Sequence, residues 1–546
     1  MKGTGGPAQH QQGGAGRAAL VPARAGDLPV QAASPTVGDL AAQAASLTVR
    51  DLFRRHVRHA GTRIAIESAA GTLSYAALGD RVSRTAHWLA GLGIGRGQVI
   101  GLLSENRAEY VELMLAAAEL GAIVACLNWR QADEELTHCI GLVAPRLLIA
   151  SERFEPAARR AMPSGLALLT LDEGHDRRLA AQPGGWRADP SVDDRCGLLI
   201  LYTSGTTGLP KGALISQRAM VARGVIQTLD RGLDADDAFV AWTPMFHMGA
   251  TDGALATLMR GGKLIVHDGF DAARLADCVR RESIGHLSVV PGVVDRVITR
   301  LRADEVVPRG IKAVGVMADL VPRAVIAELT LLLQAPYVDT FGSTETGSAP
   351  ASRGVVAIGD RDTPLAKLQS SMCELRLVDE EGGDVPDGTP GEALVRGPSL
   401  FSGYWNDARA TAEAFRGGWY HMGDLLVRDP DGGLQFVDRA KYLIKSGGEN
   451  IYPAEIERIL LATAGIADAA VVRRTDPQWG EVPVAFVVAA DPAMTAEQVL
   501  AACRGRIANY KLPRAVRFID ADAMPRNVSG KIVRSELERR LRGVSE

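Results

Sequence analysis

The chain has few cysteines, few aromatics and no excess of charge. Its six cysteines, Cys126, Cys139, Cys196, Cys278, Cys373 and Cys503, are scattered and form no C-x-x-C pair. That argues against a zinc site or a disulfide framework and fits a reducing, cytoplasmic setting. A net charge of −3 over 546 residues implies no general attraction to nucleic acid or to an anionic membrane. Long apolar runs are missing too. The most apolar stretch, Tyr110 to Trp129, holds Glu112 and Glu119, so it reads as a packed helix followed by a strand rather than a span. Large apolar residues are almost absent from residues 1–46, which are rich in Gly, Ala, Gln and Pro. Such a leader cannot bury enough surface to order itself, and it has no apolar core of the kind a signal peptide needs. Within it Gln31 to Leu40 nearly repeats as Gln43 to Leu52, which reads as a local duplication in a dispensable segment.

What remains is a soluble globular composition, 47% apolar and 23% charged, long enough for two or more domains. Thr48, with Asp51 three residues on and Leu52, Phe53 and Val57 as an apolar stripe, predicts a capped helix. From Thr62 to Phe154 strand patterns (Ile64 to Glu67, Val99 to Leu103) alternate with helical ones (Tyr75 to Leu92, Ala108 to Leu120). This alternation predicts an α/β fold. Met162 to Arg195 is polar and Pro/Gly-containing and reads as surface.

The most informative stretch is Tyr202 to Gly212, Y-T-S-G-T-T-G-L-P-K-G, after the apolar run Cys196 to Leu201. Thr203, Ser204, Gly205, Thr206, Thr207 and Gly208 pack four hydroxyls and two glycines into six residues, and Lys211 adds a cation. Glycines let backbone N–H groups turn toward a ligand, and hydroxyls add donors, so the loop suits a polyphosphate. Its spacing differs from that of G-x-x-x-x-G-K-[ST] loops. Further on come T-P-M-F-H-M-G at Thr243 to Gly249, Y-V-D-T-F-G-S-T-E-T-G at Tyr337 to Gly347 and W-Y-H-M-G-D at Trp419 to Asp424. Then follow D-R-A-K-Y-L-I-K-S-G-G at Asp438 to Gly448 and P-R-N-V-S-G-K at Pro525 to Lys531.

Taken in this order, the strings resemble the adenylate-forming superfamily: acyl-CoA synthetases, peptide-synthetase adenylation domains and firefly-type luciferases. The resemblance covers about Thr48 to Arg542. It implies a large N-terminal AMP-binding domain of sheets and helices (residues 47–437), a hinge at 438–441 and a small mobile α+β C-terminal domain (442–546). It places the leaving pyrophosphate on the 203–208 loop and Lys211. It assigns Phe341 to adenine, Gly342 to the nucleotide site, Thr344 to the α-phosphate, Asp424 to the ribose hydroxyls and Arg439 to ribose or phosphate. Glu345 would hold Mg²⁺, which takes oxygen ligands from carboxylates and phosphates. His247 would lie by the reacting carboxylate, Lys531 would be the catalytic lysine, and Lys441 the hinge. Lys445, Gly447 and Gly448 would line the CoA channel.

The activity implied is an ATP-dependent carboxylic acid–CoA ligase working through an acyl-adenylate, in fatty acid metabolism or a related setting. The chain departs from the family pattern at Met317, Asp319 and Leu320, at Met422, and at Phe341 where tyrosine is usual. Asp252, just past the histidine motif, keeps open an ammonium-bearing substrate. Three rival readings also stay open: an acyl-AMP ligase loading a separate carrier protein, a luciferase-like oxygenase, and a non-catalytic binding protein. No carrier module is expected after Glu546, and a homodimer is left open.

Overall fold

A computed structural model describes Met1, Gly3 and residues 44–172, 174–185, 189–203, 209–315, 321–363, 365, 367–446, 449–526 and 530–542. The chain divides into two units, Met1–Ser46 and Leu47–Glu546, and everything below lies in the second. It opens on the predicted cap. The Thr48 side chain accepts from the Asp51 N–H, and Asp51 accepts in return from the Thr48 N–H, starting helix Val49–His59. Helices Tyr75–Gly91 and Ala108–Leu120 follow where the apolar periodicity places them.

Ala108–Leu120 is buried along nearly its whole length, and its two buried glutamates are accounted for. Glu112 accepts from Arg81 Nε at 2.6 Å and from Thr85 at 2.5 Å. Glu119 accepts from Arg54 Nε at 2.9 Å, and burial pushes its carboxyl up to about 7. Among the described residues no helix is long and apolar enough to cross a membrane.

Two large sheets form the bulk of the unit. One has seven strands, ordered Gly403–Tyr404, Lys211–Ser216, Gly197–Thr203, Ile123–Cys126, Val99–Leu103, Leu147–Ser151 and Leu168–Leu171. Its last five strands run parallel, and the inner Ile123–Cys126, Val99–Leu103 and Leu147–Ser151 are buried throughout, which is why they are so apolar. Leu168–Leu171 and helix Gly174–Ala180 fall inside the segment expected to be plain surface. The segment is mostly exposed or half-buried, as expected of surface, with Leu171, His175 and Leu179 tucked inward.

The other large sheet has eight strands, with Ile311–Val314, Ile284–Leu287, Ala238–Ala241, Leu264–Val266 and Ile64–Ser68 as its parallel centre. Tyr337–Ser343 joins in parallel and then turns back as Gly347–Val356. In open parallel sheets ligands sit at the carboxyl ends of the strands. Here those ends deliver His247, Ser288 and Thr344 to one place. A four-stranded antiparallel sheet carries Tyr420–Arg428 beside Leu434–Arg439, pairing Asp424 with Arg439. The last sheet has five strands, and its long hairpin Ile466–Asp476/Gly480–Ala489 is cored on both faces.

Candidate active site

A cavity of about 550 Å³ opens between the eight-stranded sheet, helices Gln217–Arg231 and Met248–Arg260, the Leu434–Arg439 strand and the C-terminal segment at Lys531. It gathers His247, Phe341, Gly342, Thr344, Arg439 and Lys531 from four separate sequence motifs.

At one end the backbone is drawn tight. A Cβ on Gly342 would lie 2.0 Å from the Gly347 carbonyl oxygen, so only glycine allows this closing of the Tyr337–Ser343/Gly347–Val356 hairpin. Phe341 packs at 5.5 Å from Phe436 with the rings tilted by 39°, giving an aromatic wall. Beside it Arg439 Nε lies 2.5 Å from Asp424 Oδ1. Burial raises the Asp424 carboxyl to about 6, against the opposing pull of Arg439 and Lys531. Lys531 lines the same cavity, with its side chain open to solvent. Burial and the neighbouring Arg439 cation lower its ammonium pKa, while Asp424 and Glu345 hold it up. Glu345 is buried just behind, accepting from the Tyr404 hydroxyl at 2.9 Å. Lys211 sits over the Tyr404 ring at 5.0 Å, on the Gly197–Thr203/Lys211–Ser216 hairpin where Thr203 pairs with Lys211.

His247 is the residue preceding helix Met248–Arg260. Burial, then Arg130 and Lys531, lower its imidazole to about 4, so it is neutral near pH 7. The ring is thus an uncharged hydrogen-bonding group at the middle of the cavity. Beyond it the cavity runs between the two helices. Gly249, Gly253 and Thr257, four residues apart, turn one helix face to it. At Gly253 a Cβ would lie 2.4 Å from the Phe239 ring, so this glycine lets the ring pack under the helix. Asp252 does not enter the cavity lining. It is fully buried against Arg223 at 3.4 Å, and burial raises its carboxyl. The ammonium-binding reading of Asp252 is corrected accordingly, since that carboxylate already has a cation.

Some singled-out residues lie elsewhere. Lys441 and Lys445 border a second cavity of about 520 Å³ between the four-stranded and five-stranded sheets. There Lys445 pairs with Glu380 at 2.5 Å, and Lys441 sits over the Tyr442 ring at 4.8 Å. Ser204, Gly205, Thr206, Thr207, Gly208, Gly447, Gly448, Met317, Asp319 and Leu320 lie outside the described residues. Sequence reading missed Arg231, Arg260, His286, Lys367 and Phe436, all of which line the main cavity. Of these only Phe436 had a cue, as an aromatic in a strand pattern just before the Asp438 motif.

Comparison with known proteins settles the lineage. The AMP-binding enzyme model matches residues 53–405, and the AMP-binding enzyme C-terminal domain model matches residues 455–531. The chain belongs to the AMP-binding enzyme family. It is 36% identical over 501 residues to an indoleacetate–CoA ligase of Aromatoleum aromaticum, covering 88% of this chain and 96% of that protein. A feruloyl-CoA synthase of an Amycolatopsis species is 35% identical over 497 residues, covering 89% and 95%. Among solved structures, o-succinylbenzoate CoA synthetase from Bacillus subtilis, in complex with its acyl-adenylate intermediate, superposes with a TM-score of 0.76 at 25% identity. The match covers 89% of this chain and 97% of that one. This family member is an AMP-forming acid–CoA ligase that works through an acyl-adenylate.

Proposed function

We propose that the main cavity houses the adenylation half-reaction and that its acid is a carboxylic acid built around a ring. The observation that carries the first part is the meeting of Lys531, from the C-terminal segment, with His247, Phe341 and Thr344 in one enclosure. The acid's carboxylate attacks the α-phosphorus of ATP, and pyrophosphate leaves. Positioning and charge stabilisation supply most of the acceleration in such transfers. Phe341 and Phe436 stack the adenine, Asp424 and Arg439 hold the ribose, and Thr344 meets the α-phosphate. The 203–208 loop and Lys211 hold the leaving group. Lys531, poised beside Arg439, meets the charge that builds on the phosphorus oxygens. Neutral His247 hydrogen-bonds near the reacting carboxylate without competing for its charge.

The donor set also fits Mg²⁺. No cluster of three ligating side chains occurs among the described residues, and Glu345 offers one buried carboxylate. A lone carboxylate suits this ion, which takes its other ligands from phosphate and water. Bound with ATP, it neutralises phosphate oxygens. In the second half-reaction Lys531 must leave so that the CoA thiol can reach the carbonyl. We assign the turn to Lys441 and the thiol path to Lys445, Gly447 and Gly448, with 438–441 as the hinge between the domains. A cytoplasmic setting goes with this reading.

The ring assignment is supported by the named relatives, whose acids are indoleacetate and ferulate, and by Phe239 and the small Gly249/Gly253 face along the cavity. A pyrophosphate-release screen with Mg²⁺-ATP and CoA tests it, using aryl, indolyl, alicyclic and straight-chain acids. Ring acids should lead. A preference for straight-chain acids would place the enzyme in fatty acid metabolism instead and overturn the ring assignment.

A further inference from the structure

The main cavity is lined by five cationic side chains, Arg231, Arg260, Lys367, Arg439 and Lys531, and by no described aspartate or glutamate. Three have a clear employment. Arg439 and Lys531 flank Asp424 at the nucleotide end, and Lys367 donates to Asp339 at 2.9 Å. Arg231 and Arg260 do not. They end helices Gln217–Arg231 and Met248–Arg260, and neither is among the charges that act on Lys531 or His247.

Arg231 Nε is shut off from solvent and has no hydrogen-bond partner, and the same holds for Arg260 Nη1 and His286 Nδ1. Every nearby carboxylate is engaged elsewhere. Asp230 accepts from Ser352 and from the Ser371 hydroxyl at 2.5 Å. Asp237 and Asp234 accept from Lys312 at 2.7 and 2.8 Å. Arg260 Nε reaches only the Asp234 carbonyl, at 2.7 Å. Burial lowers Arg231 to about 10, which still leaves it cationic near neutrality, and its charge helps keep His286 neutral.

A guanidinium nitrogen closed off from solvent without a partner is costly, and both half-buried arginines open onto the cavity, so an anion or strong acceptor there completes the site. ATP cannot supply it, because its phosphates belong to the Lys531 end. The reacting carboxylate cannot either, because it belongs beside His247. We infer that the acid activated here carries a second carboxylate, at the end remote from the one that is adenylated, and that Arg231, supported by Arg260 and His286, receives it. The helix from His247 to Arg260 spans about 20 Å at ~1.5 Å per residue, and the arginine side chains shorten the gap. A ring with a short chain on either side bridges it. This inference rests on the ligase reading and narrows its substrate class.

The test uses matched pairs of acids differing only in the second carboxylate: phenylacetate against para-carboxyphenylacetate, hexanoate against adipate, octanoate against suberate. Pyrophosphate release is measured with the full-length wild type and with Arg231→Met, and thermal unfolding is followed for both. The wild type should favour the diacid of its best pair by at least about thirtyfold in kcat/KM, the scale for a buried charge pair. Arg231→Met should erase that preference, mainly through KM, while keeping turnover of the mono-acid and an unchanged or higher melting temperature. Equal use of both members of every pair, or a diacid preference untouched in Arg231→Met, overturns the inference and leaves the ligase reading standing. Absence of pyrophosphate release from every acid in the wild type would overturn both.

Discussion

The two ends of the main cavity are built on opposite plans. The end we assign to the nucleotide comes from hairpins and short turns, and its charges are paired: Arg439 with Asp424, Lys367 with Asp339. The other end comes from two long helices, and its cations have enclosed nitrogens without partners. Paired charges make a site that is complete before its ligand arrives and is rigid for one task. Unpaired charges make a site whose energy depends on what enters it. The contrast teaches where chemistry and selectivity reside. Damage at the first end should hurt every acid alike, and damage at the second should sort acids from one another.

The largest break is expected at Lys531. Lys531→Ala should slow adenylation by about two to three orders of magnitude for every acid, the usual loss for one transition-state donor. Rates of ATP–pyrophosphate exchange across the acid panel check it, and an acid-dependent loss would blur the two ends into one. Next comes the buried pair behind the helices. Arg223→Met leaves Asp252 uncompensated and should cost about 3–5 kcal/mol of stability. Denaturant unfolding reads this directly, and Arg223→Met with Asp252→Leu should recover most of the loss.

A smaller effect concerns pH. The Asp424 carboxyl sits at about 6, above its ordinary 3.8. Its folded pKa is raised, so its contribution to stability is greatest below about 4 and falls as pH rises toward 6. Ribose binding runs the other way and needs the carboxylate. The KM for ATP should therefore rise several-fold as pH drops through about 6. Asp424→Asn should show a high KM without this inflection. The smallest effect is expected from removing residues 1–40, which should leave kcat/KM unchanged. A soluble but inactive truncation would give that leader a role.

Much of the end we assign to the nucleotide was legible in the sequence, as residues that would meet, because each part is a contiguous string. Phe341, Gly342, Thr344 and Glu345 follow one another at the end of one strand, and a turn can display them only in that order. The α/β alternation was equally plain, since strands covered on both faces must be apolar throughout. The acyl end was not legible. Arg231 ends a helix before Gly232, where a basic residue is ordinary and satisfies the helix dipole. Nothing local says that this cation is enclosed, because the enclosure comes from His286 and from a second helix far along the chain. Asp252 misled for the same reason: its partner Arg223 lies on another helix.

The central claim is that one cavity serves two half-reactions and that Lys531 belongs to the first alone. Single-turnover CoA ester formation by Lys531→Ala, started from preformed acyl-adenylate, tests this most directly. The account predicts a rate within a few-fold of wild type, beside the lost adenylation. A loss as deep as that in adenylation would contradict it.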